Sequence, residues 1–123
     1  MTRYSRQISL PEIGEGGQEK LHKARVLIVG AGGLGSPAAL YLAGAGVGTI
    51  GLADDDTVGI SNLQRQILYT ENEVGQLKVH CAAQRLRALN GNIEVHVYPF
   101  RLNRENARRL IADYDIVVDG CDN

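Results

Sequence analysis

The stretch that most constrains this chain is Ala24 to Ser36, ARVLIVGAGGLGS. Val26 to Val29 is an unbroken aliphatic run, the pattern of a strand buried on both faces. It leads into Gly30, Gly32 and Gly35, a G-x-G-x-x-G with a further glycine at Gly33. Leu34 to Ala45 then reads as a helix, with Leu34, Ala38, Tyr41, Leu42 and Ala45 on one side. A nucleotide-binding βαβ unit needs strand, glycine turn and helix in that order. The first glycine permits the tight turn, and the second lets backbone N–H groups approach phosphate. The third lets helix and strand lie close, and the helix N-terminus carries partial positive charge for the anion. The competing reading is a tight strand-to-helix turn that binds nothing.

At 123 residues the chain is one domain at most, and 44% hydrophobic residues suffice for a packed core. A formal net charge of −1 argues against a general nucleic-acid or membrane-surface protein. With no apolar run of transmembrane length and no leader pattern, the expectation is a cytoplasmic protein. Cys81 and Cys121 form no C-x-x-C, and His22, His80 and His96 are isolated, so the sequence suggests neither a disulfide nor a zinc cluster.

Around the glycine turn the chain alternates strands and helices. Pro11 to Gly17 reads as a loop and Gln18 to Lys23 as a short helix; Gly44, Gly46 and Gly48 end the helix after the turn. Thr49 to Ala53 is a second strand, Gly75 to Asn90 a helix, and Ile93 to Tyr98 a third strand with His96 on its polar side. Val79, Ala82, Ala83, Leu86 and Leu89 form the apolar side of the Gly75 to Asn90 helix. Asn103 is an N-cap for a helix with Ala107, Leu110, Ile111 and Tyr114 on its apolar side, and Asp115 to Val118 is a fourth strand. This alternation predicts an α/β, Rossmann-like, doubly wound and mainly parallel sheet with flanking helices. The chain stops beside its last strand, which suggests a truncated sheet.

Ligands of such sheets sit beyond the carboxyl ends of the strands. Three polar clusters fall there: the glycine turn, Asp54 to Asp56, and Asp119 to Asn123. Asp54, nearest the second strand, is the candidate for ribose hydroxyls, while Asp55 and Asp56 fit solvated loop acids. Thr57 to Glu73 is rich in hydrogen-bonding residues, as functional loops often are. Arg65 and Lys78 could neutralise a triphosphate, and Asp122 could hold Mg²⁺. These charges suit phosphoryl or nucleotidyl transfer and would be superfluous for hydride transfer.

Six segments carry a resemblance over the whole chain. They are SRQ (Ser5 to Gln7), GAGGLGS (Gly30 to Ser36), DDDTV (Asp54 to Val58), SNLQRQ (Ser61 to Gln66), GQLK (Gly75 to Lys78) and DGCDN (Asp119 to Asn123). Together they resemble the ubiquitin-activating-enzyme-like adenylyltransferases, and most closely the bacterial ThiF/MoeB/HesA enzymes. The resemblance implies ATP held by Gly33, Asp54, Asn62, Arg65 and Lys78, within a wider set of Gly30, Gly32, Gly35, Ser61, Leu63, Gln64 and Asn123. It implies Asp122 on Mg²⁺, catalytic roles for Arg65, Lys78 and Asp122, and a homodimer in which Arg6 reaches the neighbouring subunit's site. The implied reaction joins the C-terminal glycine carboxylate of a ubiquitin-like sulfur carrier, of the molybdopterin or thiamine pathway type, to AMP with release of pyrophosphate.

On this reading residues 1–123 are the N-terminal, ATP-binding part of a larger domain, with 1–23 an arm and helix and 24–123 the Rossmann-like portion. The family's carrier-binding half, crossover-loop cysteine and C-x-x-C zinc motifs would lie beyond Asn123. The chain as given is therefore expected to bind nucleotide poorly and to catalyse little adenylation. Cys121 and Cys81 read as packing residues. The alternatives are an NAD-dependent oxidoreductase, which leaves Arg65, Lys78 and Asp122 without roles, and a truncated, non-catalytic nucleotide-binding or dimerising protein.

Overall fold

Val26, Leu27 and Ile28 are at most 3% exposed, so β1 (Arg25–Val29) offers no polar face to water. Such a strand must lie in the interior of a sheet, and β1 pairs on both sides, with β2 (Thr49–Ala53) and β4 (Ile116–Asp119). β3 (Glu94–Tyr98) pairs with the far side of β2. The order is β3-β2-β1-β4 and every pairing is parallel. The computed structural model describes residues 3–30, 35–59 and 69–119, with the side chains of Arg6, Gly35 and Ser36 outside the description.

Parallel neighbours need crossovers, which α3 (Gly35–Ala45), α4 (Lys78–Leu89) and α5 (Arg104–Ile111) supply. Ala39, Ala43, Val79, Ala82, Ala83 and Leu86 of α3 and α4 pack with Val26, Ile28, Ile50 and Leu52 on one face. Leu110 and Tyr114 cover Leu27 and Ala53 on the other. Helices on both faces of a parallel sheet make the doubly wound, Rossmann-like arrangement that the sequence predicts.

Several boundaries differ from the sequence reading. The chain is already helical from Gly14, in α2 (Gly14–Lys23), so the predicted loop to Gly17 is half helix. Glycines suggest a break there, but Gln18 is buried and the helix is anchored by tertiary contacts. α4 begins at Lys78 instead of Gly75, because Gly75 has φ +91 and Gln76 and Leu77 pair with another segment. In α3 the buried positions are Ala39 and Ala43, while Tyr41 is 78% exposed, so the inward side is rotated from the predicted one. Leu89 and Ile111, also read as inward, are half exposed. Asn103 does cap α5, in a reciprocal capping box with Asn106.

The short helix α1 (Ser5–Ile8) is fastened at the amino edge of the sheet. Gln7 Nε2 donates to the Ala45 carbonyl at 2.7 Å and also to Gln18 Oε1. Asn90, fully buried, donates to the Tyr4 hydroxyl at 2.6 Å and to the Ala43 carbonyl at 2.9 Å. Arg3 donates to the Leu89 carbonyl at 2.9 Å. These contacts satisfy carbonyls at the C-terminal ends of α3 and α4 that a helix cannot pair internally.

Candidate functional site

In this strand order the connection from β3 returns across the sheet to β4, beside β1. The crevice beyond the carboxyl ends of β1 and β4 is therefore the topological switch point, where open α/β sheets bind ligands. Gly30 ends β1 there with φ +87, a backbone conformation an L side chain rarely adopts. Its N–H donates to the Ala53 carbonyl at 2.8 Å, which turns the chain tightly over β2. Gly35 opens α3 beyond the turn, so the N-terminus of that helix faces the same edge. Gly32 and Gly33 lie outside the described residues.

Asp54 follows β2 directly, its N–H donating to the Tyr98 carbonyl at 3.2 Å. Its Oδ1 accepts the Asp56 N–H at 2.7 Å. The chain then zips antiparallel against the lead-in to α4. Val58 N–H donates to Gln76 O at 2.8 Å, Gly75 N–H to Val58 O at 2.8 Å, and Lys78 N–H to Asp56 O at 2.9 Å. This ladder forms a neck that sets the first residue of α4 next to Asp56. Lys78 Nζ lies 3.4 Å from Asp56 Oδ2, with the lysine side chain 5% exposed and the aspartate 69%.

A buried ammonium at a helix N-terminus bears two costs, desolvation and the positive end of the helix dipole. An anion relieves both. Gly30, Asp54 and Lys78 thus come together at one edge of the sheet. Asp56, read as a solvated acid, is indeed 69% exposed, and it is also the ion partner of Lys78, which only the fold could show. Tyr69 is also missed by the sequence reading. It is buried under the neck, and burial first, then the Asp54 carboxylate, holds its hydroxyl above the ordinary phenol range, in the neutral form.

Arg6 lies in α1 at the opposite, amino edge of its own sheet, its side chain outside the description. Ser61, Asn62, Leu63, Gln64, Arg65, Cys121, Asp122 and Asn123 lie outside the described residues. Among the described residues no group of three or more His, Cys, Asp or Glu could hold a metal ion, and no helix is long and apolar enough to cross a membrane. Cys81 is buried in α4, and burial, aided by the Glu73 carboxylate, pushes its thiol up to about 11, so it is a poor nucleophile. A hollow of 330 Å³ between Tyr98, Phe100, Leu110 and Asp113 involves none of the predicted site residues.

Sheet order, glycine turn and helix placement define a doubly wound α/β domain of the Rossmann type. Residues 4–123 match the model of the ThiF family, and the chain belongs to that family. It is 56% identical over its whole length to "Adenylyltransferase and sulfurtransferase MOCS3" of Anopheles gambiae, covering 28% of that protein. It is 50% identical, again over its whole length, to "Sulfur carrier protein adenylyltransferase" of Thermus thermophilus, covering 45% of it. Among solved structures it resembles E. coli tRNA N6-threonylcarbamoyladenosine dehydratase, TcdA, in complex with ATP. There the TM-score is 0.90 at 34% identity, over 98% of this chain and 49% of that one. The chain thus spans less than half the length of these relatives.

Proposed function

We propose that residues 1–123 are the ATP-binding part of an enzyme that adenylylates the C-terminal glycine carboxylate of a ubiquitin-like sulfur carrier. Residues 1–23 form the arm and helix, and 24–123 the nucleotide-binding portion. One observation carries the reading: Lys78, 5% exposed at the start of α4, shares the switch-point edge with Gly30 and Asp54. A cation buried there calls for an anion larger in charge than its loose carboxylate partner, and a triphosphate supplies it. The names of the 50–56% identical relatives and the ATP complex of the structural neighbour support the same choice.

On this reading the glycine turn, with Gly30, Gly32, Gly33 and Gly35, and the N-terminus of α3 cradle phosphate. Asp54 accepts the ribose hydroxyls, and Ser61, Asn62, Leu63 and Gln64 line the nucleotide. Arg65 and Lys78 neutralise the phosphates, with Asn123 beside them. Asp122 would hold Mg²⁺, which would add charge neutralisation beside Asp119, the last residue of β4. The carrier's carboxylate oxygen attacks the α-phosphorus and pyrophosphate leaves. That carboxylate is already ionised at neutral pH, so no general base is needed. Rate enhancement then comes from alignment and from cations placed where charge builds up. The carrier belongs to a molybdopterin- or thiamine-type pathway, and the protein works in the cytoplasm as a homodimer.

Arg6 belongs to the same proposal. Gln7, one residue on, is tied to the C-terminal end of α3 at the amino edge, so α1 lies across the sheet from its own switch point. The family resemblance assigns Arg6 to the partner subunit's nucleotide, and its distance from its own switch point supports that reading. The test is carrier-dependent ATP–pyrophosphate exchange with the intact enzyme. Arg6→Ala and Asp122→Ala homodimers are each expected to be inactive. A heterodimer of the two retains one site free of both changes and recovers part of the activity. A verified heterodimer that stays inactive would place Arg6 in its own subunit's chemistry or outside it. Wild-type exchange that proceeds equally with a carrier lacking its terminal glycine would overturn the substrate assignment.

A further inference from the structure

The Lys78–Asp56 pair has a geometry that an ordinary stabilising ion pair lacks. The two atoms are 3.4 Å apart, long for a charge-assisted hydrogen bond, and Asp56 is mostly in water while Lys78 is not. Two backbone contacts fix Asp56 where it stands. Its N–H is held by Asp54 Oδ1 at 2.7 Å, and its carbonyl by the Lys78 N–H at 2.9 Å. The carboxylate is thus presented to Lys78 by the backbone and free of any deep desolvation of its own.

We propose that Asp56 is a positioning residue that acts as the exchangeable counter-ion of Lys78. It keeps the buried ammonium aimed when no nucleotide is present, yields it to incoming phosphate, and reclaims it as pyrophosphate departs. The proposal rests on the ATP-binding reading of this edge. A loose, exposed partner is what such exchange requires: it offsets enough of the lysine's burial to hold the site ready, yet competes weakly with a polyphosphate. The same Asp54–Asp56 hydrogen bond couples the ribose acceptor to the phosphate cation, so the two ends of one nucleotide are set by a single three-residue turn.

The experiment titrates the intact enzyme and its Asp56→Asn and Asp56→Glu variants with ATP, pyrophosphate and adenosine, after thermal melts show that each variant is folded. Asp56→Asn removes the competing charge and keeps the shape. ATP and pyrophosphate should then bind about fivefold more tightly, while adenosine affinity stays the same. Asp56→Glu should restore wild-type selectivity. If all three ligands weaken together, or the ATP-to-adenosine ratio does not move, Asp56 is only a structural residue and the proposal fails. If the intact wild-type enzyme binds adenosine as tightly as ATP, Lys78 does not face phosphate, and the proposal fails there instead. If wild type binds none of the three, the nucleotide reading itself is overturned, and the Asp56 proposal with it.

Discussion

Gly48→Ala should cost about 3 kcal/mol or more of folding stability, enough to shift the urea midpoint far beyond the usual surface effect. A Cβ at position 48 would sit 1.6 Å from the His22 carbonyl oxygen and 2.7 Å from the carbonyl carbon. Both are backbone atoms, so no side-chain rotation can make room. Nor can residue 48 retreat. Its N–H donates to the Leu21 carbonyl at 3.0 Å, and its carbonyl accepts the Glu94 N–H at 2.8 Å, so it is clamped between α2 and β3. Gly44→Ala is the contrast. Gly44 lies in the last turn of α3 with nothing within 4 Å of an added Cβ, and the change should stabilise by about 0.5–1 kcal/mol. Equal midpoints for the two variants would contradict the contact described here.

Lys78→Met should separate activity from stability. In the intact enzyme it should lower ATP–pyrophosphate exchange by about 10²–10³-fold, the typical loss when one preorganised charge-stabilising group is removed. The fold should not suffer. A 5% exposed site at a helix N-terminus accepts an apolar side chain of similar length at least as well as an ammonium, and Asp56, 69% exposed, needs no partner. The expected denaturation midpoint is unchanged or higher. A large loss of stability with the loss of exchange would mean that Lys78 is structural.

Most of the fold was legible because its signals are local. The aliphatic run of β1, the period of α4 and the Asn103 cap depend only on neighbours in sequence, and these three elements were placed to within a few residues, whereas the short helix α1 was not read from the sequence. The errors occur where distant contacts decide. α2 extends into a glycine-rich stretch that local propensity marks as loop, and α3 turns Ala39 and Ala43 inward because small residues let it approach β1 closely. Nothing near Gly48 in the sequence announces the His22 carbonyl, and nothing near Asn90 announces Tyr4. At the site, Gly30 and Asp54 were singled out from motif spacing and Lys78 from the polar loop it brackets, and the fold gathers the three at one sheet edge. Asp56 was not singled out, since three consecutive aspartates look alike until the neck brings one of them to Lys78.

The most direct measurement of the central claim is calorimetric titration of the chain with ATP–Mg²⁺ and with NAD. ATP should bind more tightly than NAD, though less tightly than to the intact enzyme. Asp54→Ala should weaken ATP by about 1–3 kcal/mol, the cost of losing a charge-assisted hydrogen bond to the ribose. Tighter binding of NAD than of ATP would contradict the account.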